Sequence, residues 1–573
     1  MRLLNTSTLA LEEFYGSAIP EYAILSHRWL DDEVSFQDLQ SGQAASKAGY
    51  AKIQRCCEQA AQDGLAYAWV DTCCIDKTSS AELNEAINSM YAWYRDSALC
   101  YAFLSDVSAA AADGSFDDSA WFTRGWTLQE LIAPAHVVFY NATWQTLGSR
   151  DEVPLTERIA RITQIDAAVL RGEAELDERS VAQRMAWAAG RTTTRLEDRA
   201  YSLLGLFGVN MPLLYGEGGT RAFLRLQEEI MKASDDQSLF AWGGSTSVAE
   251  DGQLTGLLAG SPADFSDCAS IVVARQRWNH QPYQMTNRGL SVEMPMVPWG
   301  PETFMAALDC EDASAQDGRV GIYLRMMQDK EQYTRVRFRD DAGESRALQS
   351  FAQRLAPTAK YRKIYVRQRN TEPARPRTKR RVPGAAASST PAASGSTTTI
   401  VINTKINSSV PADPTPVYGF HIRTVPIKFI TVPDPQHPEY PVSEVYLAPG
   451  GRAWDDNTRI VTLPAGAGGT VAALWLRSKK RSYTLKVGFD ADFNPIAQYG
   501  GMLSSPDVRP PLPHNSLEAI LHPAWMAVPR SDYLFRGDRL RGGLKLDDFP
   551  WRVSMQHEVV GNEKMWVLDI EDS

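Results

Sequence analysis

The sequence predicts an α/β protein: a doubly wound parallel sheet at the N-terminus, a helical connector, and a β-rich C-terminal region. Three observations carry this. Four short, almost wholly apolar runs alternate with amphipathic helical segments in the first 140 residues. Helical spacing takes over from about 151 to 232, and short alternating segments punctuated by Gly and Pro dominate from Leu239 onward.

The elements follow in order. Tyr22–Ser26 is an apolar strand, and residues 46–63 set Tyr50, Ile53, Cys57, Ala60 and Ala61 on one helical face before Gly64. Leu65–Val70 is a second strand, ending at Asp71. Ser79 with Glu82 has the spacing of a capping box, opening a helix whose stripe is Leu83, Ala86, Ile87, Met90, Tyr91 and Tyr94. Ala98–Leu104 is a third strand, with Asp106 beyond it. A small-residue loop leads to a helix holding Trp126, Leu128 and Leu131, stopped before Pro134; His136–Tyr140 is a fourth strand. Fully apolar strands alternating with helices mean a parallel sheet covered on both faces.

Further on, Ser180–Gly190, Asp198–Phe207 and Thr220–Lys232 read as helices, with Tyr215–Gly219 as a turn. Ser270–Ala274, Val320–Met326, Thr334–Phe338, Val417–Val425 and Val442–Leu447 read as strands of a sandwich or barrel. Ala472–Leu476 with Ser482–Val487 reads as a hairpin. The expected divisions are 1–150 (α/β), 151–235 (connector), 236–366 and 417–573 (two parts of a β-rich domain), and 367–416, a disordered linker rich in Ala, Ser, Thr, Pro and Arg.

The composition sets limits. At 573 residues the chain needs more than one core, and a net charge of -10 gives no electrostatic reason to bind nucleic acid. No run of about 18 apolar residues is present, so no membrane span is expected. The first residues do not make a secretory signal, and seven scattered cysteines, including Cys56–Cys57 and Cys73–Cys74, read as buried thiols. Together these place the chain in the cytoplasm or nucleus; Arg375–Arg381 reads as a solvated basic stretch, with nuclear import as its alternative. The histidines have no metal-ligand spacing, and no metal or cofactor is expected.

In an open parallel sheet, ligands bind beyond the carboxyl ends of the strands. That rule selects Ser26, His27 and Arg28 after the first strand, Asp71 and Asp76 after the second, and Asp106 after the third. The helix before the fourth adds Arg124, Trp126 and Glu130. Trp126 and Glu130 are four residues apart and share a helical face. A carboxyl group beside an indole in a dry crevice has its pKa raised and suits acid/base work or stabilisation of a cation.

Three segments resemble the fungal heterokaryon-incompatibility (HET) domain: Tyr22-Ala-Ile-Leu-Ser-His-Arg-Trp29; Trp69-Val-Asp-Thr-Cys-Cys-Ile-Asp76 with Ile87–Asp96; and Trp121-Phe-Thr-Arg-Gly-Trp-Thr-Leu-Gln-Glu130. The stretch Glu197–Glu217 resembles the segment that follows this domain in fungal members. The resemblance implies non-self recognition by vegetative incompatibility, with programmed death of fused cells, working through protein partners or self-association. The family's frequent nucleotide-binding switch and repeats have no counterpart here, so activation must come from a partner or the β-rich region. The HET domain is in turn similar to TIR domains, which implies a TIR/flavodoxin-like sheet. Some TIR domains hydrolyse NAD, and Trp126-x-x-x-Glu130 resembles their tryptophan and catalytic glutamate. Three readings stand: a death-signalling module; an NAD hydrolase using Glu130, with NAD as substrate; and a β-rich binding protein with an inactive HET domain.

Overall fold

In the computed structural model the chain forms two compact units, one made of residues 1–297 and 303–368, the other of residues 298–302 and 369–573. The described residues of the first are 1–108, 115–243, 255–275, 281–297, 303–315, 319–327, 331–336, 338–339, 345–346, 348–351 and 360–368; the second is described as strands, with 298–300 and 302. Residues 369–414 of the expected linker, the basic stretch among them, lie outside the described residues.

The first unit opens with a hairpin, β1 (Arg2–Asn5) and β2 (Leu11–Glu13). There follow β3 (Ala23–His27), α1 (Phe36–Gln40), α2 (Tyr50–Gln62), β4 (Tyr67–Trp69), α3 (Ser80–Arg95), β5 (Leu99–Phe103), α4 (Thr127–Ile132), β6 (Val137–Tyr140) and β7 (Thr146–Ser149). The sheet order is β2-β1-β4-β3-β5-β6-β7, in which β4, β3, β5 and β6 run parallel. β1 pairs antiparallel with β4 at one side and β7 with β6 at the other. The sheet is therefore mixed: its parallel centre is as expected from the apolar runs, while both margins are antiparallel. These marginal strands were not legible because they are short and half polar, and they end the sheet without leaving a central strand open.

The chain steps from β3 out to β4, then back across to β5 on the other side of β3. That reversal opens a crevice beyond the carboxyl ends of the central strands. All five residues of β3 are buried, the signature of a central strand packed on both faces.

The helix starts are built by local chemistry. Ser79 accepts a hydrogen bond from the Glu82 backbone N–H at 3.4 Å, capping α3, but the reciprocal half of the expected box is not the use made of Glu82. Its carboxylate instead takes Arg2 from β1 and the Asp76 backbone N–H, tying the first strand to the loop after β4. The helical region that follows comprises α5 (Val153–Thr163), α6 (Ala167–Leu170), α7 (Val181–Ala189), α8 (Asp198–Tyr201) and α9 (Gly219–Ala233). Between α8 and α9 the chain turns at Gly216 and Gly218 with φ of 101° and 87°, and the Glu197 carboxylate accepts both glycine N–H groups.

The same unit then contains β8 (Ile271–Val273), β9 (Gln284–Thr286), β10 (Gly289–Gly300), β11 (Thr303–Asp312), β12 (Arg319–Met326), β13 (Gln332–Val336), β14 (Phe338–Arg339), β15 (Ser345–Arg346), β16 (Leu348–Phe351) and β17 (Lys360–Val366). Its main sheet runs β16-β12-β13-β17-β10-β11-β8, and β12 also pairs with β11, closing β12, β13, β17, β10 and β11 into a ring, while β14 and β15 pair with each other. One buried apolar cluster runs from Leu3 through the helices to Val366.

The second unit holds two five-stranded sheets. One runs Ala453–Asp455, Ile460–Thr462, Thr415–Thr424, Glu563–Asp572, Trp551–Val560; the other runs Ser443–Leu447, Gly469–Arg477, Ser482–Phe489, Pro495–Leu503, Tyr533–Arg536. The expected hairpin is present as Gly469–Arg477 against Ser482–Phe489. All seven cysteines are buried and unpaired, as their sequence context indicates. Among the described residues no helix is long and apolar enough to cross a membrane.

Candidate functional site

A cavity of about 240 Å³ opens at the carboxyl edge of the sheet, where β3 and β4 end and α4 begins. His27, Asp71, Arg124, Trp126 and Glu130 all line it. Ser26 stands immediately behind Glu130. The remaining sequence candidates do not converge on it. Arg28 is exposed beside the site and does not line the cavity. Asp76 accepts hydrogen bonds from Gln37 at 2.6 Å and from Thr78, shaping its own loop. Asp106 accepts from Ser119 at 2.7 Å and from the Ala120 N–H. Acidic residues at strand ends look alike in sequence, and only the direction of the loop decides which turn inward.

The two sides of the cavity are built differently. On the β3–β4 side Asp71 is held by donors. His27 Nε2 lies 3.0 Å from its Oδ1, and Trp29 Nε1 donates to Oδ2 at 2.8 Å. Burial alone would raise the Asp71 pKa. The nearby Lys77 ammonium and the bonds from His27 and Trp29 outweigh it and hold the carboxylate well below its usual range. His27 is driven the other way, its pKa lowered by burial and by Lys52. It is therefore neutral at pH 7, and facing a carboxylate its proton belongs on Nε2. Its Nδ1 is buried and has no partner among the described residues. Lys77 Nζ sits 3.6 Å from the centre of the Trp29 ring, a cation–π contact.

On the α4 side Glu130 is almost fully buried, at 6% exposure. Ser26 Oγ donates to Glu130 Oε2 at 2.5 Å, and Trp121 Nε1 donates to Ser26 Oγ at 3.0 Å. The tryptophan at the head of the third sequence segment thus positions the serine that ends the first and the glutamate that ends the third. Burial raises the Glu130 pKa to about 8, with Asp71 adding to the rise while Ser26, Arg124 and Tyr94 oppose it. At pH 7 the group is a neutral acid with no ion-pair partner. Among the described residues it makes no salt bridge to Arg124 or Arg28, and Arg124 lowers its pKa only through space.

The helical region supplies the third wall. Arg195, Asp198 and Tyr215 line the cavity beside Trp126. Tyr215 Oη donates to Asp198 at 3.0 Å, and the Arg195 guanidinium lies 4.2 Å from the Tyr215 ring centre. Ile75, Leu83, Ile87 and Met90 close the apolar remainder. The cavity thus combines an aromatic and aliphatic slot, three basic side chains and one buried carboxyl, surfaces on which a flat ring and an anionic group can be held. Sequence reasoning missed Lys77, Arg195, Asp198 and Tyr215. The last three lie within or beside the Glu197–Glu217 stretch, whose resemblance to a segment following the HET domain was the available signal.

The fold and this crevice define an α/β domain with a ligand-sized cleft at its strand exits, completed by a helical layer. Comparison with known proteins finds a family match to part of this chain. Residues 22–118 match the model described as "Heterokaryon incompatibility protein (HET)", and residues 221–255 match a domain of unknown function, DUF8212. The chain is 52% identical over 224 residues to "Vegetative incompatibility protein HET-E-1" of Podospora anserina, which covers 37% of this chain and 16% of that protein. The chain therefore spans about a sixth of the length of that relative. Its N-terminal region carries a HET domain, as the three sequence segments indicated. Trp121–Glu130 lies just beyond the matched span. No solved structure matches the chain.

Proposed function

We propose that this chain acts in fungal vegetative incompatibility and that its N-terminal region triggers cell death, through self-association or a protein partner engaged when non-self is met. The observation that carries the reading is the 52% identity over 224 residues to a vegetative incompatibility protein. The parallel strands in the order β4-β3-β5-β6, with the cleft at the reversal, support the TIR/flavodoxin-like comparison drawn from sequence.

A second reading is favoured by the site itself: Glu130 cleaves NAD. The glycosidic bond between ribose C1′ and the pyridinium nitrogen breaks, and neutral nicotinamide leaves with the bonding electron pair. Water then adds its hydroxyl to C1′ and releases one proton. The carboxylate form of Glu130 stabilises the ribosyl cation between these events. Burial favours the protonated form of Glu130, so binding the cationic nicotinamide ring beside it must favour ionisation. Trp126 and Tyr215 line the cavity and offer aromatic faces on which such a ring can stack. The volume, below the roughly 300–1,000 Å³ of full drug-sized sites, suits the nicotinamide riboside end of the dinucleotide.

One pair of measurements tests both readings. The full chain, wild type or Glu130→Gln, is expressed in a fungal cell, and nicotinamide release from NAD is assayed on the purified protein. A wild type that leaves cells healthy overturns the death role and favours a β-rich binding protein with an inactive HET domain. Toxicity that survives Glu130→Gln, with no nicotinamide released, leaves a signalling scaffold and removes the hydrolase.

A further inference from the structure

A second, smaller cavity of about 130 Å³ lies behind the start of α4, bounded by Gly125, the segment from Ala188 to Thr193, Arg199, Ser202 and Ser261–Ala263. Arg191 borders it and is 8% exposed. Its Nε donates to the Trp187 carbonyl, and its Nη1 donates to the Arg124 carbonyl and to Thr127 Oγ1, both at 2.9 Å. Its Nη2 is buried with no hydrogen-bond partner. Arg199 borders the same space. It makes no side-chain hydrogen bond among the described residues, and its Nε is buried and unpartnered. The hydroxyl-bearing Ser202, Thr192 and Thr193 complete the polar lining.

We propose that this rear cavity is a binding site for a phosphate-type oxyanion, held by Arg191 and Arg199 with the hydroxyl of Ser202. A buried guanidinium is costly without a counter-charge, and the structure offers Arg191 none. Burial lowers its pKa to about 9, and among the described residues the group opposing this is Glu130, whose own pKa is raised to about 8. Arg150, Arg184 and Arg335 are also buried and donate to backbone carbonyls, yet none of them lines either cavity. Arg191 differs in bordering a cavity while one of its N–H donors has no partner among the described residues. Two guanidinium groups with free N–H donors match the oxygens of a phosphoryl group, which accepts short charge-assisted bonds. The volume admits a phosphoryl group and excludes a nucleoside. The mouth lies at Gly190 and Thr192, which are exposed.

An anion here reaches the front cavity through covalent and hydrogen-bonded neighbours. Arg191 holds the first turn of α4, the Gly125 N–H donates to the Thr192 carbonyl at 2.8 Å, and Thr193 lines both cavities. Filling the rear site thereby rigidifies the helix that carries Glu130.

The test is thermal unfolding of the full chain in increasing inorganic phosphate, against chloride at matched ionic strength. Saturable stabilisation by phosphate beyond chloride is expected, weakened about tenfold or more in apparent affinity by Arg199→Gln and less by Ser202→Ala. Both variants leave Arg191 and its three carbonyl and hydroxyl bonds in place, so loss of the phosphate effect is separable from loss of the fold. An ADP arm separates sources: stabilisation by ADP at lower concentration than phosphate marks the terminal phosphate of a nucleotide, and the reverse marks the free ion. Phosphate acting no differently from chloride, or equally on wild type and Arg199→Gln, overturns the site.

Discussion

Asp71 and Glu130 face one cavity from opposite sides, and the protein keeps them in opposite charge states. Asp71 is part-exposed and surrounded by donors, so it stays a carboxylate; Glu130 is buried with a hydroxyl as its near partner, so it keeps its proton. Residue type is nearly the same and position in the fold is similar. The difference shows that the charge of a carboxyl group is set by how many donors the surrounding elements bring to it and how much water they remove. The first is a latch that organises the exits of β3 and β4. The second is a buried acid held against a serine hydroxyl.

The largest effect that would separate the two belongs to chemistry. Under the hydrolase reading, Glu130→Gln removes nicotinamide release to background while the fold stays intact, since an amide replaces an acid that is already neutral. Asp71→Asn should leave measurable release if the Asp71 side serves only to shape the site. Equal loss in both would end the distinction.

In stability the order reverses. Asp71→Asn leaves one acceptor oxygen where the buried His27 and Trp29 now use two, and removes the carboxylate that acts most strongly on Lys77, at a cost of about 2–4 kcal/mol in urea unfolding. Glu130→Gln at pH 7 costs under about 1 kcal/mol. A costlier Glu130→Gln would mean that the carboxyl is ionised in the native state.

The pH dependence gives the next contrast. Glu130 has a folded pKa above its unfolded one, so the native state holds a proton that the unfolded chain has released. Its contribution is complete below about pH 4.5, and stability declines as pH rises towards about 8 with a slope of at most about 1.4 kcal/mol per pH unit. Asp71 has the opposite sign: its contribution is present above its unfolded pKa and is lost as pH falls below it. Glu130→Gln should flatten the decline between about pH 4.5 and 8 alone, and Asp71→Asn the limb below about pH 4 alone, in unfolding curves taken from pH 3 to 9.

The smallest effect is the finest probe. Ser26→Ala removes the bond that opposes the rise in Glu130's pKa and leaves Trp121 Nε1 without its acceptor. A loss of about 1 kcal/mol is expected, with the midpoint of the alkaline limb moving upward. A downward shift would show that Ser26 prefers the protonated acid.

Much of the α/β half was legible because its strands are uniformly apolar and its helices carry single apolar stripes. Leu25, Ala102 and Phe139 could sit only in a strand covered on both faces. The hairpin of Arg2–Asn5 with Leu11–Glu13 escaped notice, since three or four half-polar residues give no period to read. Trp126 and Glu130 were found together because four residues of helix put them on one face. Asp76 and Asp106 satisfied the same strand-end rule as Asp71, yet their loops turn them to Gln37 and Ser119.

By itself, the sequence determined the alternation that makes the parallel centre, the three segments that mark a HET domain, and the pairing of an indole with a carboxyl on α4. Local spacing suffices for these, because period and chain order are properties of the sequence. Tertiary structure decided the rest. It brought Trp121 to Ser26 across 95 positions and Ser26 to Glu130 across 104, and it laid Arg195, Asp198 and Tyr215 over the cleft. It also left Arg191 buried without an anion. The physical reason is that protonation and binding depend on desolvation and on partners remote in the chain, which only packing assembles.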